Sequence, residues 1–513
     1  MRRRDLAAAA LAILLGVAVA AQRQASNGNG EGVDSSNMHL VGHNDLQGRS
    51  AYQPEIKKQG NRWIAYVGHH GGTAINPMTG KEEAHGTSIV DVTDPKNPKY
   101  LAHIPGQPVG APMPNMPGMG ESGGAQMARV CSGAELPRAD KSRFYLLRAF
   151  GNTAGSGHEI WDVTDPARPS RINAIVGGLT GTHKSWWECD TGIAYLVSGQ
   201  PGWRVPRMTK IYDLSDPAKP VFIRDFGLPG HQPGSTGKPP ADNGLHGPVS
   251  TGPKGNRVYF AYGYVQDGVV QIVDREKLLK GPAEPTEANL LYPQIARIDL
   301  PPDAGAHTAF PLLGMDLAEF TNQKLRPGGP APAADHAHDE GAAPSRTQMR
   351  RDFIAAVGET IANECFESRQ MVRMFDVTTE SKPVGAATWT VPEASGNFCG
   401  RGGRFGTHSS NENQTPIYYK RVLFVAHFNA GVRAIDVRDP FNPKEIGFYI
   451  PAVTNQTDKR CVGTGANERC KVAIQTNNVE VDDRGYVYAA DRANTGLHIL
   501  ELAGTARKVA NFN

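Results

Sequence analysis

Five histidines occupy matching positions in a repeated sequence, and they are the residues of this chain best suited to chemistry. They lie in the segments GHNDLQG, GTHKSWW, GLHGPVS, GAHTAFP and GTHSSNEN, as His43, His183, His246, His307 and His408. Imidazole nitrogens converging from separate strands can hold a transition metal, because rigid strands fix the geometry of the ligands. The pattern therefore predicts a ring of histidines that binds copper or iron.

Two glutamates follow these histidines and are candidate general bases or partners of the imidazoles. Glu188 comes shortly after His183, and Glu412 shortly after His408. A carboxylate beside an imidazole can take up a proton or orient the ring. Core packing and hydrogen bonds between repeats are the alternative role for both. Three further histidines end predicted strands and are expected in loops or at the surface: His69, His70 and His427.

A purely structural role for the ring stays open. WD-repeat proteins also place a Gly-His before an inner strand, and there the histidine only forms hydrogen bonds within its own repeat. Three methionines favour copper, since thioethers are soft ligands: Met113, Met116 and Met119. The alternative is that they simply belong to a spacer rich in Pro and Gly.

A recurring phrase defines the elements that must position these residues. IVDVTDPKNPKYLAHIPG begins at Ile89, and related copies begin at Ile160, Ile211, Met374 and Ala434. Each copy is a β-prone run ending on Asp, a turn rich in Asp and Pro, and a second β-prone run. With two more β-like runs upstream, each unit has four short strands and a period of roughly 50–60 residues, which is typical of a β-propeller blade.

The chain is therefore predicted to be an all-β, seven-bladed β-propeller. The predicted blades span residues 44–106, 124–178, 182–230, 245–300, 306–392, 407–451 and 477–504. The seventh contains only three strands, whereas residues 37–43 read like an outer strand. We expect this N-terminal strand to complete the last blade and to close the ring without an open edge.

The repeated phrase resembles the LVIVD repeat, which is found in exported bacterial propellers. The resemblance is clear in the first, second, third and sixth blades and weak or lost in the others. It implies the fold and an exported location. It names no substrate.

The N-terminus supports export as well. Residues 1–21 combine a basic start, an apolar stretch and small residues, as a signal peptide does, and the two arginines before Asp5 also fit a twin-arginine signal. Residues 22–36 are predicted to be a flexible segment and 37–513 to form the propeller, with inserts at 107–123 and 326–347. A short helix is predicted near Arg350–Val357.

Six cysteines in an exported chain can pair. Cys461 and Cys470 bracket a Gly-rich loop and are the best candidates for a disulfide, and Cys365 with Cys399 and Cys131 with Cys189 are further candidate pairs. Six thiols allow 15 connectivities, so these pairings stay predictions.

Three functions remain open. The first is a metal-dependent oxidoreductase that oxidises a small organic substrate, by analogy with His-ringed propellers such as carotenoid cleavage oxygenases (iron) and the selenium-binding, methanethiol oxidase family (copper). The second is a non-catalytic binding or scaffold propeller for a protein ligand, and the third is a metal-dependent hydrolase or isomerase. The near balance of 54 basic and 51 acidic residues argues against a nucleic-acid partner, and no long apolar segment predicts a membrane span.

Overall fold

The computed structural model describes residues 32–106, 123–151, 155–317 and 350–512. Within them, seven antiparallel sheets of four strands follow one another along the chain, one of them gaining a fifth strand. The inner strand of each sheet contacts the inner strand of the next, and the seventh contacts the first. The predicted seven-bladed β-propeller is confirmed.

The first four blades are regular four-stranded sheets, in order from the inner to the outer strand. Blade 1 has Ala51–Gln59, Arg62–His69, Thr87–Asp91 and Lys99–Ile104; blade 2 has Ala128–Ser132, Phe144–Phe150, Ser156–Asp162 and Ser170–Leu179; blade 3 has Trp186–Trp187, Ile193–Ser198, Met208–Asp213 and Val221–Phe226; blade 4 has Leu245–Ser250, Arg257–Tyr262, Val269–Asp274 and Gln294–Asp299.

The remaining blades follow the same order. Blade 5 has Thr308–Asp316, Arg350–Val357, Val372–Asp376 and Val384–Trp389; blade 6 has Ser409–Ser410, Val422–Ala426, Val432–Asp436 and Lys444–Ile450; blade 7 has Thr476–Val481, Tyr486–Asp491, Gly496–Leu502 and Met38–Asn44. In the part of the chain that the structure describes, two hairpins lie outside the blades, Thr73–Asn76 with Lys81–Ala84 and Lys459–Val462 with Arg469–Val472.

In the described residues, helices are short and lie in the connections. They comprise the α-helices Gly252–Gly255, Arg275–Lys280, Glu287–Leu291, Phe398–Arg401 and Gly504–Arg507 and the 3-10 turns Leu46–Gly48, Glu393–Ser395 and Gly465–Asn467. No helix in the described residues is long and apolar enough to cross a membrane.

The repeated phrase builds the turn between the third and outer strands of a blade. In blade 1 the Asp91 carboxylate accepts a hydrogen bond from the backbone N–H of Thr93 (2.9 Å), and Asp94 accepts one from Lys96 (3.1 Å). These side-chain bonds satisfy turn amides that the sheet cannot reach. The same hydrogen bonds to Asp side chains recur in blades 2, 3 and 6. The phrase therefore forms the same turn in each of these blades.

Blade 4 does not contain the repeated phrase, and a short helix takes the place of the turn between its third and outer strands. Its Asp274 carboxylate accepts from the backbone N–H of Lys277 (2.9 Å) and caps the helix Arg275–Lys280. Without prolines after the Asp, the chain REKLLK continues as helix instead of turning at once.

The N-terminal strand closes the ring as predicted. Met38–Asn44 pairs with Gly496–Leu502, from Met38 opposite Leu502 to Asn44 opposite Leu497. Just before it, Asp34–Ser36 pairs with the outer strand of blade 6, so these three residues of the segment expected to be flexible form a strand. The first and last parts of the chain are thereby joined over two neighbouring blades.

The helix predicted near Arg350–Val357 is wrong. These residues form the second strand of blade 5, with Val357 opposite Thr308 on the inner strand. Residues 353–357 are all buried, and a short, continuous apolar run is compatible with either a buried strand or a buried helix.

The three predicted disulfides are present: Cys131–Cys189, Cys365–Cys399 and Cys461–Cys470. The first joins the inner strand of blade 2 to the chain just after the inner strand of blade 3. The predicted signal peptide, Met113, Met116 and Met119 of the first insert, and the insert 326–347 lie outside the described residues.

Met38→Ala tests the closure. The Met38 side chain is fully buried in a core shared by blades 6 and 7, so we expect its truncation to lower the free energy of unfolding by about 2–5 kcal/mol. Denaturant unfolding followed by fluorescence measures this change. The matched control is Leu40→Ala on the same strand, where the side chain is 46% exposed and the expected loss is below about 1 kcal/mol. Equal losses in the two variants would contradict a core role for the borrowed strand.

Candidate metal centre

Four of the five predicted histidines meet where the inner strands converge. The Nε2 atoms of His183 and His246 lie 2.7 Å apart. The ring of His246 is 3.6 Å from that of His307 between centroids, and the ring of His307 is 4.2 Å from that of His408. All four side chains belong to residues that are at most 5% exposed. The structure therefore brings together four of the five histidines that share a register in the sequence.

His43 is not part of this cluster. It lies on the outer strand of blade 7, where its Nε2 donates to the carbonyl of Thr495 (2.6 Å) and its ring is 4.8 Å from that of His498. The segment before the first inner strand is the borrowed closing strand, so His43 belongs to the periphery of one blade and not to the centre of the next. The fifth imidazole of the predicted ring therefore lies outside the centre.

Blade 1 contributes Tyr52 instead. Its hydroxyl lies 3.2 Å from Nε2 of His183 and 3.4 Å from Nε2 of His307. Burial raises the pKa of this phenol well above its ordinary value, and the Glu359 carboxylate adds to the shift. Tyr52 is therefore a neutral phenol that can donate one hydrogen bond to the imidazoles.

The histidines expected at the surface are buried. His70 packs edge-on against Tyr52, with 4.9 Å between ring centroids, and its Nδ1 is 3.1 Å from the side-chain amide of Gln126. His69 bonds through Nε2 to the hydroxyl of Ser88 (2.7 Å), and His427 is also fully buried. Connecting segments cover these strand ends, since the ring of His85 lies 6.0 Å from that of His69 and the ring of Phe405 lies 5.1 Å from that of His427.

Glu359 is the acidic member of the centre. Its carboxylate oxygens lie 3.5 Å from Nε2 of His408 and 3.9 Å from Nε2 of His246. One ligand atom each from His246, His307 and Glu359 fit within 4.8 Å of one another. Sequence register could not find Glu359, because it follows the second strand of blade 5 while the histidines precede or begin inner strands.

The protonation state of the imidazoles suits metal binding. Burial lowers the pKa of all four well below the ordinary value of histidine, and the charges of neighbouring cationic groups lower it further. The four rings are therefore neutral at physiological pH. A neutral ring offers a lone pair, which a metal requires.

The tautomer of His408 is fixed by the backbone. Its Nδ1 bonds to the carbonyl oxygen of Asn477, which can only accept, so Nδ1 carries the hydrogen. The lone pair of the other nitrogen, Nε2, then faces the Glu359 carboxylate at 3.5 Å. Two acceptors this close repel unless a proton or a cation lies between them.

Two arginines contact the same carboxylate. Arg404 lies 3.2 Å and Arg492 4.0 Å from Glu359 Oε1. Arg404 also bonds to the carbonyl of Thr360 (3.4 Å), and Arg492 to the side chain of Asn477 (3.5 Å). These contacts hold the carboxylate in position beside the imidazoles.

The two predicted glutamates do not reach the centre. Glu188 forms a buried ion pair with Arg275 (2.6 Å) and accepts hydrogen bonds from Tyr195 (3.0 Å) and Ser250 (2.5 Å). Glu412 forms buried ion pairs with Arg129 and Lys184. Both follow their histidine by four or five residues, which is roughly 13–17 Å along an extended strand. Their role is to hold the other end of the inner strands.

A separate cavity of about 350 Å³ opens at that other end. Glu55, Glu412 and Glu480 line it together with Arg129, which packs against Trp186 at 4.7 Å from the ring centre. Burial raises the pKa of Glu480 to about 8, and the negative charge of Glu412 contributes. The two ends of the axis thus differ in chemistry, imidazole-rich at one end and carboxylate-rich at the other.

Comparisons with known proteins add similarity of fold. No protein-family profile matches the chain, and no curated protein sequence matches it. Among solved structures, Sqt1 of Chaetomium thermophilum bound to the N-terminus of a ribosomal protein matches with 10% identity, covering 90% of this chain and 99% of its own, at a TM-score of 0.44. The C-terminal WD40 domain of Sif2 matches with 7% identity, 91% and 99% coverage and a TM-score of 0.46.

A hypothetical selenium-binding protein of Sulfolobus tokodaii matches with 12% identity, 87% and 86% coverage and a TM-score of 0.45. At such identities and scores these likenesses carry no conclusion about function.

Glu480→Gln tests the electrostatics of the carboxylate-rich end. The pKa of Glu480 is about 8 in the folded protein and about 4.3 in the unfolded chain. The folded state therefore binds more protons between these values, and this residue makes the protein less stable as pH rises from 5 to 8. We expect the free energy of unfolding of the wild type to fall relative to the variant by about 1 kcal/mol per pH unit.

Denaturant unfolding at several pH values measures this difference. Glu276→Gln, at an exposed ion pair with Lys280, is the control and should leave the pH slope unchanged. A constant stability difference between wild type and Glu480→Gln from pH 5 to 8 would show that Glu480 is ionised throughout.

Proposed function

We propose that the protein is an oxidoreductase in which His246, His307 and Glu359 hold one transition-metal ion, copper or iron, with His183 and His408 beside it. The observation that carries the proposal is the group His246, His307 and Glu359, whose ligand atoms all lie within 4.8 Å of one another.

The donor set supports a transition metal over calcium. Calcium takes six to eight oxygen ligands, whereas this centre offers neutral imidazoles with one carboxylate. Imidazole nitrogen suits copper and iron alike, and two histidines with one carboxylate is a common iron(II) ligand set. The His246, His307 and Glu359 group supplies such a set, with His183, His408 and the Tyr52 phenol beside it. Copper and iron both remain candidates.

The residues around the ion would prepare the site for a redox reaction. The bound metal would supply the one-electron chemistry that protein side chains lack. The backbone carbonyl of Asn477 fixes the tautomer of His408, and Arg404 and Arg492 hold Glu359. The neutral Tyr52 phenol lies next to His183 and His307, where it would donate a hydrogen bond to a group bound at the centre.

We further propose that the protein works outside the cytoplasm, in the periplasm or the medium. Its three disulfides support this, since such bonds persist in oxidising compartments. The signal-like residues 1–21 and the resemblance to LVIVD-repeat propellers agree with it.

Metal analysis of the mature protein tests the proposal. The protein is purified without a His tag, offered copper and iron separately, dialysed and analysed by mass spectrometry. We expect about one ion per chain in the wild type and less than about a tenth of that in the double variant His246→Ala/His307→Ala. The lost imidazoles leave too few ligands for tight binding.

His498→Ala provides the matched control. This histidine is also buried but lies in blade 7, bonded to Thr495 at 3.0 Å, so the variant should keep its metal. Circular dichroism verifies that all proteins are folded. A folded wild type that retains neither copper nor iron would contradict the proposal and leave a binding propeller without redox chemistry.

A further inference from the structure

We propose that the molecule received at the histidine centre carries a carboxylate, and that the Arg207 guanidinium binds it. This inference rests on the proposed function and adds the substrate class to it. Three features of Arg207 support it: its position, the contacts that hold it and the donors that remain.

The backbone of Arg207 places it between two histidine-bearing segments. Its carbonyl oxygen accepts a hydrogen bond from the backbone N–H of Leu245 (3.0 Å), the residue before His246. Its side chain crosses Gly181, two residues before His183, where an added Cβ would lie 3.3 Å from Arg207 Cγ. Arg207 therefore lies in the blade 3 connection before Met208–Asp213, next to the segment that carries His246, and its side chain packs over the segment that carries His183.

Only one of the Arg207 donors is used by these neighbours. Nε donates to the carbonyl of Gly181 (3.2 Å), and the guanidinium carbon lies 5.7 Å from the centre of the Tyr264 ring. Among the described residues, no carboxylate lies within 4.0 Å of this guanidinium. The two terminal nitrogens form the planar fork that binds a carboxylate through two parallel hydrogen bonds.

Tyr264 connects this arginine to the centre. Its ring lies 5.2 Å from that of His246, and its carbonyl accepts from the backbone N–H of Glu359 (2.9 Å). Arg207 and Tyr264 are both half-buried, whereas the four imidazoles are buried. The pair therefore lies at the edge of the centre that solvent reaches.

Arg207 brings a positive charge to the edge of the centre, beside Tyr264. That charge attracts an anion, and a metal ion would strengthen the attraction. An organic cation would be repelled, and a neutral molecule would leave the guanidinium fork without a partner.

Calorimetric titration of the metal-loaded protein tests the inference. Acetate and benzoate are compared with acetamide and benzamide, which have the same shapes without the charge. We expect at least one acid to bind about tenfold or more tightly than its amide, and Arg207→Gln to abolish the difference. Arg168→Gln, which removes an exposed charge on a turn, is the control and should bind as the wild type does.

Each outcome has a distinct meaning. Equal binding of acid and amide, or an unchanged acid affinity in Arg207→Gln, would overturn the inference. Inorganic phosphate binding tightly through Arg207 while both acids fail would overturn the carboxylate assignment. Metal content is measured in every sample. If the protein takes up metal but does not bind the acids, only this inference is contradicted. If the protein takes up no metal but binds the acids through Arg207, only the proposed function is contradicted.

Discussion

Closure of the ring is the constraint on which the rest of the structure depends. Pairing of Met38–Asn44 with Gly496–Leu502 joins the two ends of the chain within one blade. Only then does the inner strand of blade 7 contact that of blade 1, so that all seven inner strands surround one axis. Side chains at the start of the inner strands therefore lie close together around the axis, whatever their chemical type. Histidines repeated at that position form a cluster.

The closed axis contains many buried polar groups, which are costly unless they satisfy one another. His307 Nδ1 lies 2.9 Å from the Thr308 hydroxyl, which accepts from Lys184 Nζ (3.1 Å), and Lys184 in turn pairs with Glu412. This chain of contacts connects the imidazole-rich end to the carboxylate-rich end. Buried networks of this kind stabilise less than an apolar core would, so their presence on the axis agrees better with a functional than with a purely structural role.

Sequence reasoning predicted those features that depend on local chemistry repeated at a fixed period. The Asp and Pro turns identified the blades, and the three-stranded end of the chain identified the missing strand. The same register found His183, His246, His307 and His408. The register failed for His43, because this residue belongs to the strand that closes blade 7. In blade 1 the central position is occupied by Tyr52 instead. Glu359 and Arg207 lie in connections between strands, where no periodicity marks them. Glu188 and Glu412 were predicted too near the imidazoles, because strand rise carries them to the opposite end.

One metal ion bound by His246, His307 and Glu359 within the imidazole cluster is the proposal on which the functional account depends. Anomalous X-ray diffraction from crystals of the copper- or iron-loaded protein, recorded at the absorption edge of each metal, tests it most directly. We expect one anomalous peak per chain, about 2.0–2.2 Å from imidazole nitrogens of this cluster, with Glu359 on the same ion. A loaded crystal with no peak among these residues, or with its peak elsewhere, would contradict the account.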